Sequence, residues 1–525
     1  MTELPQDDVA RTIADGYTFD EEAVQLGVLM TGESPMVEVP IRIPVSMFNR
    51  HGLVAGATGT GKTRTLQVMA EALSKAGVPV FAADIKGDLS GMASPGNGSE
   101  KLLARVAAQG QPWTAAPFPC DFYALGGRGI GVPVRATVSS FGPILLSKVL
   151  GLNQVQESSL GLVFYYADGA GLPLLDLSDL VELLKYLVSD EGKPELKGIG
   201  GISSATVGVI LRNLITLTAQ GGDVFFGEPE FEPTELLRTA PDGRGMVSLL
   251  ELPDLASQPD LFSTFLMWLL ADLFDSLPEV GDTEKPKLVF FFDEAHLLFN
   301  NASKAFLDSI TQTVRLIRSK GVGVFFVTQT PKDVPGDVLA QLGSRVQHQL
   351  RAHTPNDAKA LKATVSTYPT SGYDLGELLQ TLGTGEAVVT VMDPDGAPTP
   401  VAWTRIWAPE SSMAPTDTET LRRIVAQSPL MARYGQSIDR DSAREMLARK
   451  LEEGSRRAME EQRLDEQRQR YEADAGRRPA PSTRRPARPE PGLVEQVTSS
   501  SAFKQFTRTA AREIARGLFG AGRRR

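Results

Sequence analysis

His51-Gly-Leu-Val-Ala55 runs straight into Gly56-Ala57-Thr58-Gly59-Thr60-Gly61-Lys62-Thr63, and residues 64 to 75 follow with apolar side chains at helical spacing. A short apolar run, a glycine-rich octet and an amphipathic stretch in that order read as strand, turn and helix. The turn suits an anion. Gly56, Gly59 and Gly61 allow backbone angles and close approaches that a side chain would forbid, so successive N–H groups converge on one point. The helix start adds its own partial positive charge there. Lys62 is placed to reach β- and γ-phosphates, and the Thr63 hydroxyl to ligate Mg²⁺. Gly56 to Thr63 is therefore expected to cradle a nucleoside triphosphate.

Hydrolysis of that triphosphate needs more, because the metal must be held and a water aimed at the γ-phosphorus. Leu288-Val-Phe-Phe-Phe292 reads as a buried strand and ends in Asp293-Glu294. Burying two carboxylates is costly unless a cation satisfies them. Asp293 is expected to hold Mg²⁺ and Glu294 to polarise the attacking water. His296 completes Asp-Glu-Ala-His, a run similar to one found in helicases, and it suits a packing histidine equally. The next apolar run, Val322-Gly-Val-Phe-Phe-Val-Thr328, carries Gln329 at its tip. A carboxamide that donates to phosphate and accepts from water suits a sensor, provided that this strand neighbours the Asp293 strand. Arg315, Arg318 and Lys320 precede the run, where a ring-shaped neighbour could present a cation across an interface. A solvated helix face accounts for them as well.

Around these motifs the organisation is read in seven stretches. Residues 1–45 form a small β-rich entry, and 46–100 the first part of an α/β core whose second strand, 78–84, ends in Asp84. Residues 101–285 read as a mainly helical insertion, with helical spacing over 144–152, 180–188 and 261–277. Residues 286–410 resume the core, with strands at 288–293, 322–328 and 345–350, helices at 303–319 and 337–342, and closing edge strands at 387–392 and 399–407. Apolar strands separated by helices imply a mostly parallel sheet covered on both faces. Residues 411–474 make a charged helical extension and 475–493 a Pro/Arg linker. In 494–525 Phe503, Phe506, Ala510 and Ile514 line one helical face, and Lys504, Arg508, Arg512 and Arg516 another. That basic end suits docking on a partner, a nucleic-acid backbone or an anionic membrane, and equally packing on its own protein.

A chain of 525 residues exceeds one ordinary core, while 42% hydrophobic and 22% charged residues are globular values. The single cysteine, Cys120, excludes an internal disulfide and a cysteine-rich zinc site, and fits a cytoplasmic protein. The four histidines, His51, His296, His348 and His353, have no metal-ligand spacing, so ordinary structural use is expected of them. The first residues lack the apolar core of a signal peptide, and no apolar run is long enough for an integral membrane span. A net charge of −10 argues against a surface that coats nucleic acid indiscriminately, but leaves room for a local basic channel.

With these residues in view, the chain resembles the HerA/FtsK branch of RecA-like P-loop ATPases, in particular bacterial helicase HerA-like proteins that carry a domain of unknown function. The resemblance rests on HGLVAGATGTGKTRTLQVMAEALSKAGVPVF with ADIKGDLSG, FGEPEFEPTELL, LPEVGDTEKPKLVFFFDEAHLLF, VRLIRSKGVGVFFVTQTPKDVPGDVLAQLGSRVQHQLRAHTPNDAKA and LGTGEAVVT. Together they span about residues 20 to 445. It implies a RecA-like core assembled as a homo-oligomeric ring, a hexamer, with ATP and Mg²⁺ between subunits. Residue by residue, it makes Lys62 and Thr63 the Walker A pair, Asp293 and Glu294 the Walker B pair and Gln329 the sensor. Arg318 becomes the first choice for a finger acting in trans, ahead of Arg345 and Arg351. Asp84-Ile-Lys86-Gly-Asp88 is similar to an acidic motif of the branch whose role stays open. Only about 45 residues precede the core, fewer than the larger β-barrel of HerA would need, and neither a membrane anchor nor a DNA-reading winged helix is visible. Three readings remain: a motor on double-stranded DNA, an ATP-driven assembly or switch acting on protein partners without nucleic acid, and a membrane or partner anchor through the basic end with the ATPase secondary.

Overall fold

The computed structural model describes residues 6–252, 259–299 and 304–475. The described residues divide into two units between residues 451 and 452. The first is built on one sheet of twelve strands: β1 (Ala23–Thr31), β2 (Ser34–Pro44), β3 (Gly52–Ala55), β4 (Val80–Asp84), β5 (Cys120–Leu125), β6 (Val132–Val134), β7 (Val247–Glu251), β8 (Leu288–Phe292), β9 (Val322–Thr328), β10 (Ser344–Gln347), β11 (Glu386–Thr390) and β12 (Ala402–Ile406). Their order across the sheet is β2-β1-β12-β11-β10-β3-β9-β8-β4-β7-β5-β6. From β10 to β6 all neighbours are parallel, and from β10 to β2 all are antiparallel.

The apolar runs are continuous because both faces of the parallel part are covered. Leu288, Phe290 and Phe292 of β8 enter one core with side chains from the helices Leu177–Val188, Ser204–Leu217 and Lys304–Ile317. Val289 and Phe291, between them, enter the other core with Leu66, Met69 and Leu73 of the helix Lys62–Lys75. Each of the five is fully buried, contributing about 1.5–3 kcal/mol.

Two features depart from the sequence expectation. The stretch 101–285 is not only helical: it supplies β5, β6 and β7, which extend the parallel sheet. Short apolar runs such as Val247-Ser-Leu-Leu-Glu251 cannot be told from buried helix segments by periodicity. The strands expected to close the edge, β11 and β12, lie inside it, because β1 adds antiparallel to β12 with Gly27 opposite Ile406. The edge is β2, whose Pro35, Pro40 and Pro44 suit a strand with one unpaired side.

Among the described residues no helix is long and apolar enough to cross a membrane. Cys120 is buried and free. The helix Ala443–Ala475 carries the chain to the last described residue, and residues 448–469 on it are exposed. The linker and basic helix expected over 475–493 and 494–525 lie, apart from residue 475, outside the described residues.

Candidate functional site

The octet leaves β3 at Ala55 and becomes helix at Lys62. Gly61 caps that helix with a left-handed φ of 119°, and a Cβ there would come within 3.2 Å of Gly385. A Cβ on Gly56 would lie 2.5 Å from that of His348, so the loop has no room for side chains at either position. Backbone bonds pin the turn: Gly56 N donates to Thr328 O at 3.2 Å, Ala57 N to Gln349 O at 2.8 Å and Gly385 N to Thr60 O at 2.9 Å. The Thr60 hydroxyl donates to Ala57 O at 2.7 Å. Thr58 and Gly59 form the tip, and Thr63 sits half-buried in the first helical turn. No side chain caps the helix, so its first N–H groups keep the orphan status of any helix start. Lys62 Nζ donates to the carbonyls of Gly56 at 2.7 Å and Ala57 at 3.2 Å, folded over the loop.

Asp293 and Glu294 leave β8, and only β9 separates β8 from β3. The three ends are tied together, since Ala295 N donates to Val327 O at 2.9 Å while Gly56 N reaches Thr328 O. The two motifs therefore meet at the carboxyl ends of the parallel strands, where open α/β sheets bind ligands. Electrostatics agrees: burial lowers the Lys62 pKa, opposed by the charges of Glu294 and Asp293. Asp293 is 4% exposed, accepts from Glu294 N at 2.8 Å, and is pushed up to about 6 by burial and then by Glu294. Glu294 holds a left-handed φ of 48°, a conformation shared among described non-glycine residues only by His51. Its Oε1 is paired with Lys86 Nζ, and its Oε2 lies 3.2 Å from His296 Nδ1 without hydrogen-bond alignment. Burial pushes the Glu294 carboxyl up, but Lys86, His296 and Lys62 together hold it below its ordinary value.

Gln329 is exposed just past the end of β9, and β9 lies between β3 and β8, which meets the neighbour condition set by the sequence. Thr328 is instead buried, its hydroxyl donating to Asp333 at 2.9 Å. Next to Asp293 stand the acids ending β4 and β7, Asp84 and Glu251, paired in register. Burial raises both, Glu251 to about 7 with help from Asp84.

Arg318 is not brought to this site. It precedes β9 and so lies at the amino ends of the strands, where Arg50, Arg315, Arg318 and Arg345 line a cavity of about 560 Å³. Arg50 and Arg318 each reach exposed Asp282 at 3.3 Å. The other cations differ. Arg351 Nη2 donates to Thr58 O at 3.4 Å, beside its own loop, and Lys320 donates to Leu277 O at 2.8 Å over the Phe274 ring. Sequence reading missed His348 as the floor of the loop, Arg50 in the cavity and the grip of Lys86 on Glu294. Only Lys86 carried a signal, the Asp84–Asp88 motif itself.

A family model described as Helicase HerA-like C-terminal matches residues 31–525. The chain is 22% identical over 369 residues to the DNA double-strand break repair helicase HerA of Saccharolobus solfataricus, covering 70% of this chain and 66% of that protein. It is 33% identical over 124 residues to a probable helicase of Methanocaldococcus jannaschii, covering 23% and 22%. It thus spans less than two thirds of the length of these curated relatives. Among solved structures, the plasmid coupling protein TrwB in complex with ADP and Mg²⁺ superposes with a TM-score of 0.51 at 16% identity, over 79% of this chain and 96% of that one. The unbound form of TrwB gives 0.50 at 17% identity, over 78% and 94%. The fold is that of the RecA-like P-loop ATPases.

Proposed function

The chain belongs to the helicase HerA-like C-terminal family, and from that premise we propose that it is an ATP hydrolase working as one subunit of a ring, a hexamer, that moves double-stranded DNA in the cytoplasm. The observation that carries the reading is the meeting of Lys62 with Asp293 and Glu294 around the tip of β9. The tip of the loop, Thr58, Gly59 and Gly61, offers backbone N–H groups to the phosphates, those of Gly56 and Ala57 being spent on Thr328 and Gln349, and Lys62 its ammonium, now spent on loop carbonyls that a phosphate would replace. Thr63 and Asp293 would hold Mg²⁺; a buried acid pushed up to about 6 is one that a cation would relieve. When bound, the metal neutralises charge on the transferring phosphoryl group. Glu294 polarises the water and Gln329 senses the γ-phosphate. Arg318, facing away from its own loop, suits a finger for the neighbouring subunit's nucleotide.

The test is ATP hydrolysis by the full chain with and without duplex DNA over a range of salt, beside the mass of the ATP-bound assembly. A DNA motor is stimulated by duplex, with an affinity that falls steeply as salt rises. Hydrolysis indifferent to DNA at every salt would sink the DNA reading and leave the switch acting on protein partners.

A further inference from the structure

The Asp84–Asp88 motif finds its partner in Glu294. Lys86 Nζ pairs with Glu294 Oε1 across two strand ends, the lysine half-exposed and the glutamate side chain 8% exposed. The loop carrying Lys86 is anchored at both ends. Asp84 is buried and accepts from Leu89 N at 2.8 Å, and the Ser90 hydroxyl donates to Gly87 O at 2.8 Å. The glutamate is fixed too, by its left-handed backbone and by the bond from its own N–H to Asp293. The freely moving part of the pair is therefore the long lysine side chain.

A general base must offer a lone pair to water. Here one carboxylate oxygen is covered by an ammonium and the other abuts His296, so the base is engaged before any substrate arrives. Resting on the reading of Glu294 as the base, we propose that Lys86 is a positioning residue that clamps Glu294 in a resting pose, with or without bound triphosphate, so that its ammonium competes with the attacking water for the carboxylate. The Asp84–Asp88 loop then sets the idle rate of hydrolysis.

Two measurements on the full chain test this. In nucleotide-free protein, acetylation of Lys86 followed by mass spectrometry should be several-fold slower than in the Glu294→Gln variant; equal rates would remove the clamp. In steady-state assays without DNA, Lys86→Met should raise kcat about fivefold with KM for ATP unchanged, and Lys86→Arg should restore the resting rate. A kcat that stays put or falls, or a KM raised about tenfold as for a lost phosphate ligand, overturns the proposal. Glu294→Gln run alongside separates the layers. If it turns over normally, the parent reading has failed; if it is dead while Lys86→Met is no faster, only the clamp has.

Discussion

His348 lies fully buried beneath the phosphate loop, and its two ring nitrogens are both committed. Nδ1 faces the Glu386 carbonyl at 2.8 Å, which accepts only, so Nδ1 carries the proton and Nε2 accepts from the Thr65 hydroxyl at 2.8 Å. The ring is therefore held neutral, and burial lowers its pKa to about 4, as it does for His51. An unfolded histidine takes up its proton near pH 6.5. Between about pH 6.5 and 4 the unfolded state binds more protons than the folded one, so stability is lost as pH falls through that window. Each histidine contributes up to about 1.4 kcal/mol per pH unit. His348→Gln should flatten the dependence of Tm on pH by about one proton; an unchanged slope would rule the account out. At the reactive end of the same loop, Lys62→Ala should cost at least about tenfold in ATP affinity by equilibrium titration, since a charged partner of the phosphates is lost. Micromolar affinity retained unchanged would count against the site. The octet and Asp293-Glu294 could be singled out as candidates because each pattern is local in sequence. Lys86 could not be matched to Glu294, 208 positions away, since nothing in either residue names the other.

The helix Lys62–Lys75 does more than begin at the phosphates. Arg64, Gln67 and Glu71, on one face at helical spacing, all grip the segment after β12. Arg64 donates to Met413 O at 2.6 Å, Gln67 to Ser412 O at 2.9 Å, and Glu71 accepts from Glu410 N at 2.8 Å and Ser411 N at 3.0 Å. Glu71 is 5% exposed, so removing it orphans the buried N–H of Ser411 and the half-buried one of Glu410. Glu71→Ala should lower unfolding free energy by about 2 kcal/mol or more in denaturant titrations, and a loss below about 0.5 kcal/mol would show the grip to be idle. Elements whose burial pattern was strong, β8, β9 and this helix, were legible from apolar spacing alone. Strands β5 and β7 were not, because a short run becomes a strand only when a distant edge is there to pair with it.

Across the whole molecule, the parallel strands set the loop and its acids at one end and the arginine cavity at the other. A site that needs Arg318 is thus incomplete within one copy. Arg318→Ala should keep ATP affinity while lowering kcat by about 10³-fold or more. Mixing it with Glu294→Gln subunits should restore part of the activity, as hybrid interfaces then pair an intact finger with an intact base. Mixtures no more active than either parent would point to a role in cis or none. The sequence by itself determined the cradle, the acids and the covered parallel strands, because glycine freedom, charge and apolar periodicity act over a few neighbouring residues. Tertiary structure alone decided which strand stands between cradle and acids, that β1 and β2 close the sheet, that Lys86 holds Glu294, and that Arg318 faces away from its own loop. Those follow from pairing between segments hundreds of residues apart, where the free energy lies in the contact and not in either partner's sequence.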